Sequence, residues 1–309
     1  MTTLLLTHPI CQHHEMPGSP ERPSRLETVD LVLKMAQFKA LQRESCPSAS
    51  VEQIALAHDE TYVQTIAEQT PETGYFRIDS DTSLCPHSYE AALKAAGGAI
   101  RAVDAVLAGE VKNAFCAIRP PGHHAERDRA MGFCLFNNIA IAAHHARQQH
   151  GVERVAVIDF DVHHGNGTQD IFWEEADFFY GSTHQMPLYP GSGAVNETGA
   201  GNIVNTPLHA GADGDKMREA YNDRLLPALF DFSPELLLIS AGFDAHIDDP
   251  LADLCFSTED FRWLSQKLVE FADHHCQSRL VSLLEGGYDR QALGDSVSAH
   301  VEVLLDAGL

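Results

Sequence analysis

Positive charge is scarce in this 309-residue sequence: 21 lysines and arginines stand against 44 aspartates and glutamates, a net charge of −23 with histidine neutral. A field of that sign repels phosphate backbones, which argues against direct nucleic-acid binding; it would draw in lysine-rich peptides or polyamines, but it equally suits solubility or a salt-rich habitat, and charge alone does not choose. Paired-cysteine patterns are missing as well. The seven cysteines, at 11, 46, 85, 116, 134, 255 and 276, are odd in number and form no C-x-x-C. Neither a disulfide framework nor a thiolate zinc knuckle is expected, and a reducing, cytoplasmic setting is. No apolar run approaches the roughly 18 residues of a membrane span, and MTTLLLTHPI lacks the basic flank and long apolar core of a signal peptide, so no membrane partner is expected. H-E-x-x-H, G-x-S-x-G and the phosphate-cradling glycine spacings are also absent, which removes zincin proteases, serine hydrolases and nucleotide-binding loops from consideration.

What is present describes a folded α/β protein. Hydrophobic residues make up 44% of the chain, enough for a sizeable core, and no linker-like stretch or internal repeat divides it. One domain over 1–309 is expected. Short apolar, β-branched runs recur at TTLLLT, NAFCAIR, RVAVIDF, DFFYGS, ELLLIS and RLVSLL. Between them lie segments of helical periodicity such as SYEAALKAAGGAIRAVDAVLAG and TEDFRWLSQKLVEFADHH. Strands alternating with helices imply a mostly parallel sheet with helices on both faces. Ligands in such sheets sit beyond the carboxyl ends of the strands. Four segments there hold the unusual residues: RPPGHHAERDRAMGFC, DFDVHHGNGT, AGFDAHIDDP and EGGYD. They are expected to converge on one rim.

Asp161 and His163 are two residues apart, and an extended backbone would point both side chains to the same face, where they reach one ion. Asp244 follows another strand and supplies a third ligand, leaving one position for water as in catalytic zinc sites. Two carboxylates and one imidazole acidify bound water less than three imidazoles would, so a separate general base is needed. His123 and His124, in the tight turn PPGHH, are the candidates, with Asp159 placed to fix a tautomer. Other histidine pairs, at 144–145 and 274–275, fall in helical runs and read as structural. Tyr288 follows two glycines in a turn able to swing a phenol towards an oxyanion, although the residue taken alone reads first as a tyrosine packed at a helix start. YPGSGAVNETGAGN reads as a loop that shapes the site.

Taken together, ERPSRL, RPPGHHA, GFCLFNN, DFDVHHGNGT, LYPGSG, SAGFDAH, DDPL and LEGGY make the chain resemble the zinc-dependent histone deacetylase and acetylpolyamine amidohydrolase superfamily, essentially from end to end. The resemblance implies an arginase/deacetylase-like fold and a class II-like, bacterial-type member. It implies Zn2+ held by Asp161, His163 and Asp244, with His124 as general base and acid. His123 becomes its electrostatic partner backed by Asp159, and Tyr288 polarises the acetyl carbonyl and stabilises the oxyanion. Gly132, Phe133, Tyr189 and Gly286 line the tunnel for an acyl-aminoalkyl chain. The tyrosine is a mild departure, because that wall is often phenylalanine. Asn166 stands where class I members carry an aspartate, and a neutral partner leaves the His124 imidazolium less stabilised. The resemblance further implies a K+ ion near Asp159, Asp161, His163, Ser182 and Thr183.

The implied reaction is hydrolysis of a linear amide, releasing acetate and a free amine. Leu251, in DDPL, resembles the rim leucine of lysine-deacetylating members, where polyamine-preferring relatives can carry glutamate. Asp81 matches a rim aspartate that grips a peptide backbone. Acetyl-lysine peptides are therefore the first expectation for substrate. Acetylpolyamines are the alternative, favoured by the charge and by a mouth expected to gather Glu15, Asp79, Asp81, Asp248 and Asp249. A non-catalytic sensor fits less well, since each catalytic position holds a competent residue, and metal storage through the 18 histidines would require several ions per chain. A homodimer is compatible with the sequence and not specified by it.

Overall fold

The computed structural model describes residues 2–308. Ten strands form in chain order: β1 (Thr3–Thr7), β2 (Gln42–Ser45), β3 (Phe76–Arg77), β4 (Ser83–Leu84), β5 (Asn113–Cys116), β6 (Val155–Asp159), β7 (Phe178–Gln185), β8 (Ile203–Leu208), β9 (Leu236–Ala241) and β10 (Leu280–Leu284). Eight of them make one sheet in the order β2-β1-β5-β10-β9-β6-β7-β8, parallel at each pairing, while β3 and β4 form a small antiparallel hairpin apart from it. The six apolar runs all become strands of the main sheet. The two strands that hydrophobicity did not reveal are its edges. β2, QRES, alternates half-buried and exposed residues, and β8, IVNTPL, carries Pro207, which lacks the amide hydrogen a central strand requires.

Helices cover both faces. They are α1 (Pro23–Leu33), α2 (Val51–Ile54), α3 (Glu60–Gln69), α4 (Ser88–Leu107), α5 (Asn138–His150), α6 (Asn166–Phe172), α7 (Gly214–Ala220), α8 (Leu226–Phe232), α9 (Thr258–His275) and α10 (Arg290–Gly308). One core layer packs α3, α4 and α5 on the sheet, and the other packs α1, α9, α10 and the α7–α8 region. Local chemistry sets the helix ends: the Asn137 side chain accepts from the Ala140 amide to start α5, and Gly151, in the left-handed region, ends it. Ser257 and Asp260 form a capping box at the start of α9. Among the described residues all seven cysteines are free thiols, and no helix is long and apolar enough to cross a membrane.

The strand order places the site. β5, β10, β9 and β6 are consecutive neighbours, and every residue of each is buried. Because they run parallel, their carboxyl ends lie side by side at the middle of the sheet. The four motif-bearing segments leave those four ends.

Candidate metal centre and catalytic site

β6 ends at Asp159, and Asp161 to His163 form a bend rather than an extended continuation, so the same-face argument from strand geometry does not apply. Side-chain acceptors bring the two residues together instead. The Asp159 Oδ1 accepts from the Asp161 amide (3.1 Å), and the Asp161 Oδ1 accepts from the His163 amide (2.9 Å). The chain is folded back twice within five residues, leaving His163 Nδ1 3.1 Å from both Asp161 Oδ1 and Asp244 Oδ2. Asp244 arrives from the segment after β9, fixed by the Val162 amide on its Oδ1 (2.9 Å). The three residues are buried and offer ligand atoms within 4.8 Å of one another.

That donor set fits a divalent ion. Backbone space has been cleared beside it: a Cβ at Gly286 would lie 2.2 Å from Asp244 Oδ2 and 2.5 Å from Asp161 Oδ2, so only glycine permits the approach. Four carboxylates, Asp159, Asp161, Asp244 and Glu285, are buried within this one region. Burial, reinforced by the charge of Asp161, lifts Asp244 to about 7, and burial lifts Glu285 to about 7. Burial works against a charged His163 too, but its bonds to Asp161 and Asp244 carry it up to about 10. The cluster is short of positive charge, which two carboxylates and an imidazole share most favourably with a metal cation.

The histidine pair is not a pair of equals. The rings of His123 and His124 are 4.0 Å apart between centroids, yet their partners differ. His123 Nδ1 meets Asp159 Oδ2 at 3.0 Å, and the same oxygen accepts from the Tyr180 hydroxyl (3.0 Å). Burial opposes its protonation, but Asp159 and Asp161 outweigh burial and hold His123 well above the usual imidazole range. His124 Nδ1 meets Asn166 Oδ1 at 2.8 Å. Burial, together with the neighbouring His123 and His163, holds His124 well below that range. The Asn166 amide nitrogen donates to Glu126 (2.7 Å), which leaves its carbonyl oxygen to face His124. His124 therefore carries its hydrogen on Nδ1 and presents a free Nε2 lone pair.

Around this pair the walls are apolar and aromatic. The Tyr189 ring stands 5.2 Å from His124, edge to face, and is 38% exposed. Gly132 lies against the imidazole, where a Cβ would come within 2.4 Å of His124 Cδ2. Phe133 adopts a left-handed backbone (φ 68°) that turns its ring to within 6.1 Å of Tyr288. The turn bearing Tyr288 is clamped, unlike the free hinge its glycines suggested. Asp249 Oδ2 accepts from the Tyr288 amide (2.7 Å), and its Oδ1 accepts from the Leu251 amide (3.0 Å). This bridge ties the Leu251 backbone to that of the tyrosine. It also removes Asp249 from the free charges expected at the mouth. Burial keeps the Tyr288 phenol protonated, its pKa raised well above the ordinary value.

Asp81 lies in the β3–β4 loop at the mouth, half-buried, its Oδ1 occupied by the Gly132 amide (3.2 Å) and the Thr82 hydroxyl (2.7 Å). Ser182 pairs with Asp159 across β6 and β7, and the adjacent Thr183 hydroxyl is buried without a partner. Several residues that position the site were not read from the sequence. Glu285 Oε2 accepts from the Gly122 and His123 amides (2.7 and 3.2 Å), shaping the double-histidine turn. Arg25 donates to the carbonyls of Glu285 and Gly287 (2.6 Å each) and stacks 4.8 Å from the Tyr288 ring. Glu285 and Arg25 stood inside LEGGY and ERPSRL, where the motif gave them no separate role.

Comparison with known proteins identifies the family. Residues 19–304 match the histone deacetylase domain. The sequence is 42% identical to the Histone deacetylase-like amidohydrolase of Pseudomonas aeruginosa, over 87% of this chain and 72% of that protein. It is 37% identical to the Polyamine deacetylase HDAC10 of Homo sapiens, over 98% of this chain and 46% of the human one. The fold superposes on the crystal structure of an HDA15 HD domain with a TM-score of 0.93 and 33% identity, covering 99% of this chain and 88% of the other. The domain match and the fold match both run over nearly the full length, and the chain belongs to the histone deacetylase family of hydrolytic deacetylases.

Proposed function

We propose that this protein removes the acetyl group from the side-chain amine of acetyl-lysine in peptides or proteins, releasing acetate. Asp161, His163 and Asp244 would hold a catalytic Zn2+, in keeping with a family that is zinc-dependent in general. When bound, such an ion supplies Lewis acidity to the carbonyl and lowers the pKa of water. The chain supplies the rest. His124 Nε2 takes the proton of the attacking water and returns it to the departing amine, since it is the imidazole held neutral. His123, held cationic by Asp159, stabilises the negative charge that builds during attack. The Tyr288 phenol donates a hydrogen bond to the developing oxyanion. Phe133 and Tyr189 enclose the methylene chain of the substrate, with Gly132 and Gly286 leaving the space it occupies. A K+ ion beside Asp159, Asp161, His163 and Ser182 is the family-based companion, and the partnerless Thr183 hydroxyl supports it.

The observation that carries the lysine reading is Leu251. Its backbone is joined through Asp249 to the backbone of Tyr288, which supports a reading in which an apolar residue borders the reactive turn. An apolar rim gives no counter-charge to the distal ammonium of an acetylpolyamine. The second reading, acetylpolyamine deacetylation, draws on the similarity to a human polyamine deacetylase and on the net charge of −23. Side-by-side kcat/KM values for an acetyl-lysine peptide and for N-acetylputrescine, N-acetylcadaverine and N-acetylspermidine test the two. Preference for the peptide supports the first reading, and preference for the small amines replaces it with the second. Cysteines that are all free in the described residues fit the proposed cytoplasmic location.

A further inference from the structure

A second group of metal-ligating side chains lies outside the catalytic centre, where α4 packs against α5. Asp104, in the last turns of α4, faces two histidines of α5. His145 Nε2 and His150 Nε2 each stand 2.7 Å from the same oxygen, Asp104 Oδ1, and the two rings are 5.7 Å apart between centroids. The three residues offer ligand atoms within 4.8 Å of one another. We infer that Asp104, His145 and His150 form a second binding site for a divalent transition-metal ion of the zinc, nickel or cobalt class.

Geometry and chemistry carry the assignment. Ligand atoms around a tetrahedral ion sit about 3.3 Å apart, given metal-ligand distances of about 2.0–2.1 Å, so each imidazole nitrogen would move about 0.6 Å from its present 2.7 Å to admit the ion. Two imidazoles with one carboxylate select this class over calcium or magnesium, which prefer oxygen ligands throughout. The ligands stand on rigid elements. His145 is packed into the protein with 7% of its side chain exposed, and His150 is the last residue of α5, before the helix-ending Gly151. Side-chain exposures of 39% for Asp104 and 27% for His150 leave a solvent side for entry and for a water ligand. Among the described residues no lysine or arginine pairs with Asp104, so an entering ion displaces only the imidazole protons now bonded to it.

The placement separates this site from the chemistry. α5 begins at Asn138, whose side chain donates to the Pro120 carbonyl behind the histidine turn, and His150 lies twelve residues further on, about 18 Å along the axis. An ion there fastens α4 to α5 and leaves the reaction untouched.

The test titrates Zn2+ or Ni2+ alone into the full chain with its catalytic site already loaded. Bound metal is counted by mass spectrometry, and melting temperature and deacetylase rate are followed in parallel. The unsubstituted protein is expected to take up one further ion and to melt higher. His150→Ala and Asp104→Asn are each expected to weaken that second binding by at least about tenfold, while the first ion and the rate stay unchanged. Uptake of no second ion overturns the inference. So does a second ion indifferent to both substitutions, which would be an adventitious ion held elsewhere.

Discussion

Two buried charged clusters lie close together beneath the carboxyl ends of the central strands, and they solve the same electrostatic problem in opposite ways. In the first, the Glu21 carboxylate lies between two guanidiniums, Arg25 (3.1 Å) and Arg119. Arg119 also donates to the carbonyls of Cys11 (2.7 Å) and His14 (3.0 Å), so its charge is spread over acceptors of its own. Burial alone would raise Glu21, but the two arginines hold it down at about 2. The second cluster has four carboxylates whose only ion pairs, among the described residues, are with imidazoles, His123 and His163, and two of its acids are lifted to about 7. A buried carboxylate answered by guanidiniums serves as scaffold, and a cluster short of a cation is the arrangement expected of a binding site. The two are joined mechanically, because Arg25 holds the carbonyls on both sides of Gly286.

Breaking the matched cluster should cost the most. Arg25→Ala leaves a buried carboxylate with one partner fewer and removes one of the two clamps on the Tyr288 turn, and is expected to lower unfolding free energy by about 3–5 kcal/mol in urea denaturation. A loss under about 1 kcal/mol would mean that Glu21 is adequately served by Arg119 alone. Tyr288→Phe touches only the reactive side. Turnover of an acetyl-lysine peptide should drop about 10²–10³-fold with metal content and melting temperature unchanged, as for removal of an oxyanion donor. Loss of metal in that variant would assign the phenol to ion retention instead.

Acid separates scaffold from site more gently. His14, buried beside Arg119 and accepting or donating only to Ser88, is pushed by burial down to about 4. Its folded value lies below the ordinary 6.5, so between pH 6.5 and about 4 the unfolded chain takes up a proton the native chain refuses. Stability is lost as pH falls through that window, at up to about 1.4 kcal/mol per pH unit for the one group. Glu21 extends the loss from 4.5 down towards about 2, since its folded value is depressed. Unfolding free energies of the native protein and of His14→Gln at several pH values measure this, and the variant is expected to show the shallower slope above pH 4. The smallest effect is expected from Asn166→Asp. A carboxylate 2.8 Å from His124 Nδ1 favours the imidazolium, so the acidic limb of the rate profile should move upward by about one unit or less. A limb that does not move would detach His124 from the rate-controlling proton transfer.

Much of this was legible in the sequence, and the limits have physical causes. Central strands announce themselves because burial on both faces demands continuous apolar runs such as LVSLL and LLLISA. Residues directly after those strands were easy to single out, since a parallel sheet collects them at one edge. α9 was read to its boundaries because its amphipathic face and its capping residues agree. The edge strands were missed because half-exposed positions and Pro207 erase the hydrophobic signal. Asp161 and His163 were joined for the wrong geometric reason, since a bend held by carboxylate-amide bonds leaves no periodic trace. Glu21 and Arg119 are 98 positions apart, and their pairing depends wholly on the fold. The same holds for Asp249, whose acidic neighbourhood suggested solvent while its oxygens had three backbone amides to serve.

If the second cluster is a cation site whose filling permits the reaction, depleting the metal abolishes activity. The protein is stripped with a chelator, Zn2+ is added back in known amounts, and hydrolysis of an acetyl-lysine peptide is followed beside the same titration of Asp244→Asn. Negligible activity in the stripped protein, restored in proportion to the ion bound and absent from the variant, is the predicted result. Full activity after verified removal of metal, or equal restoration in Asp244→Asn, would contradict it.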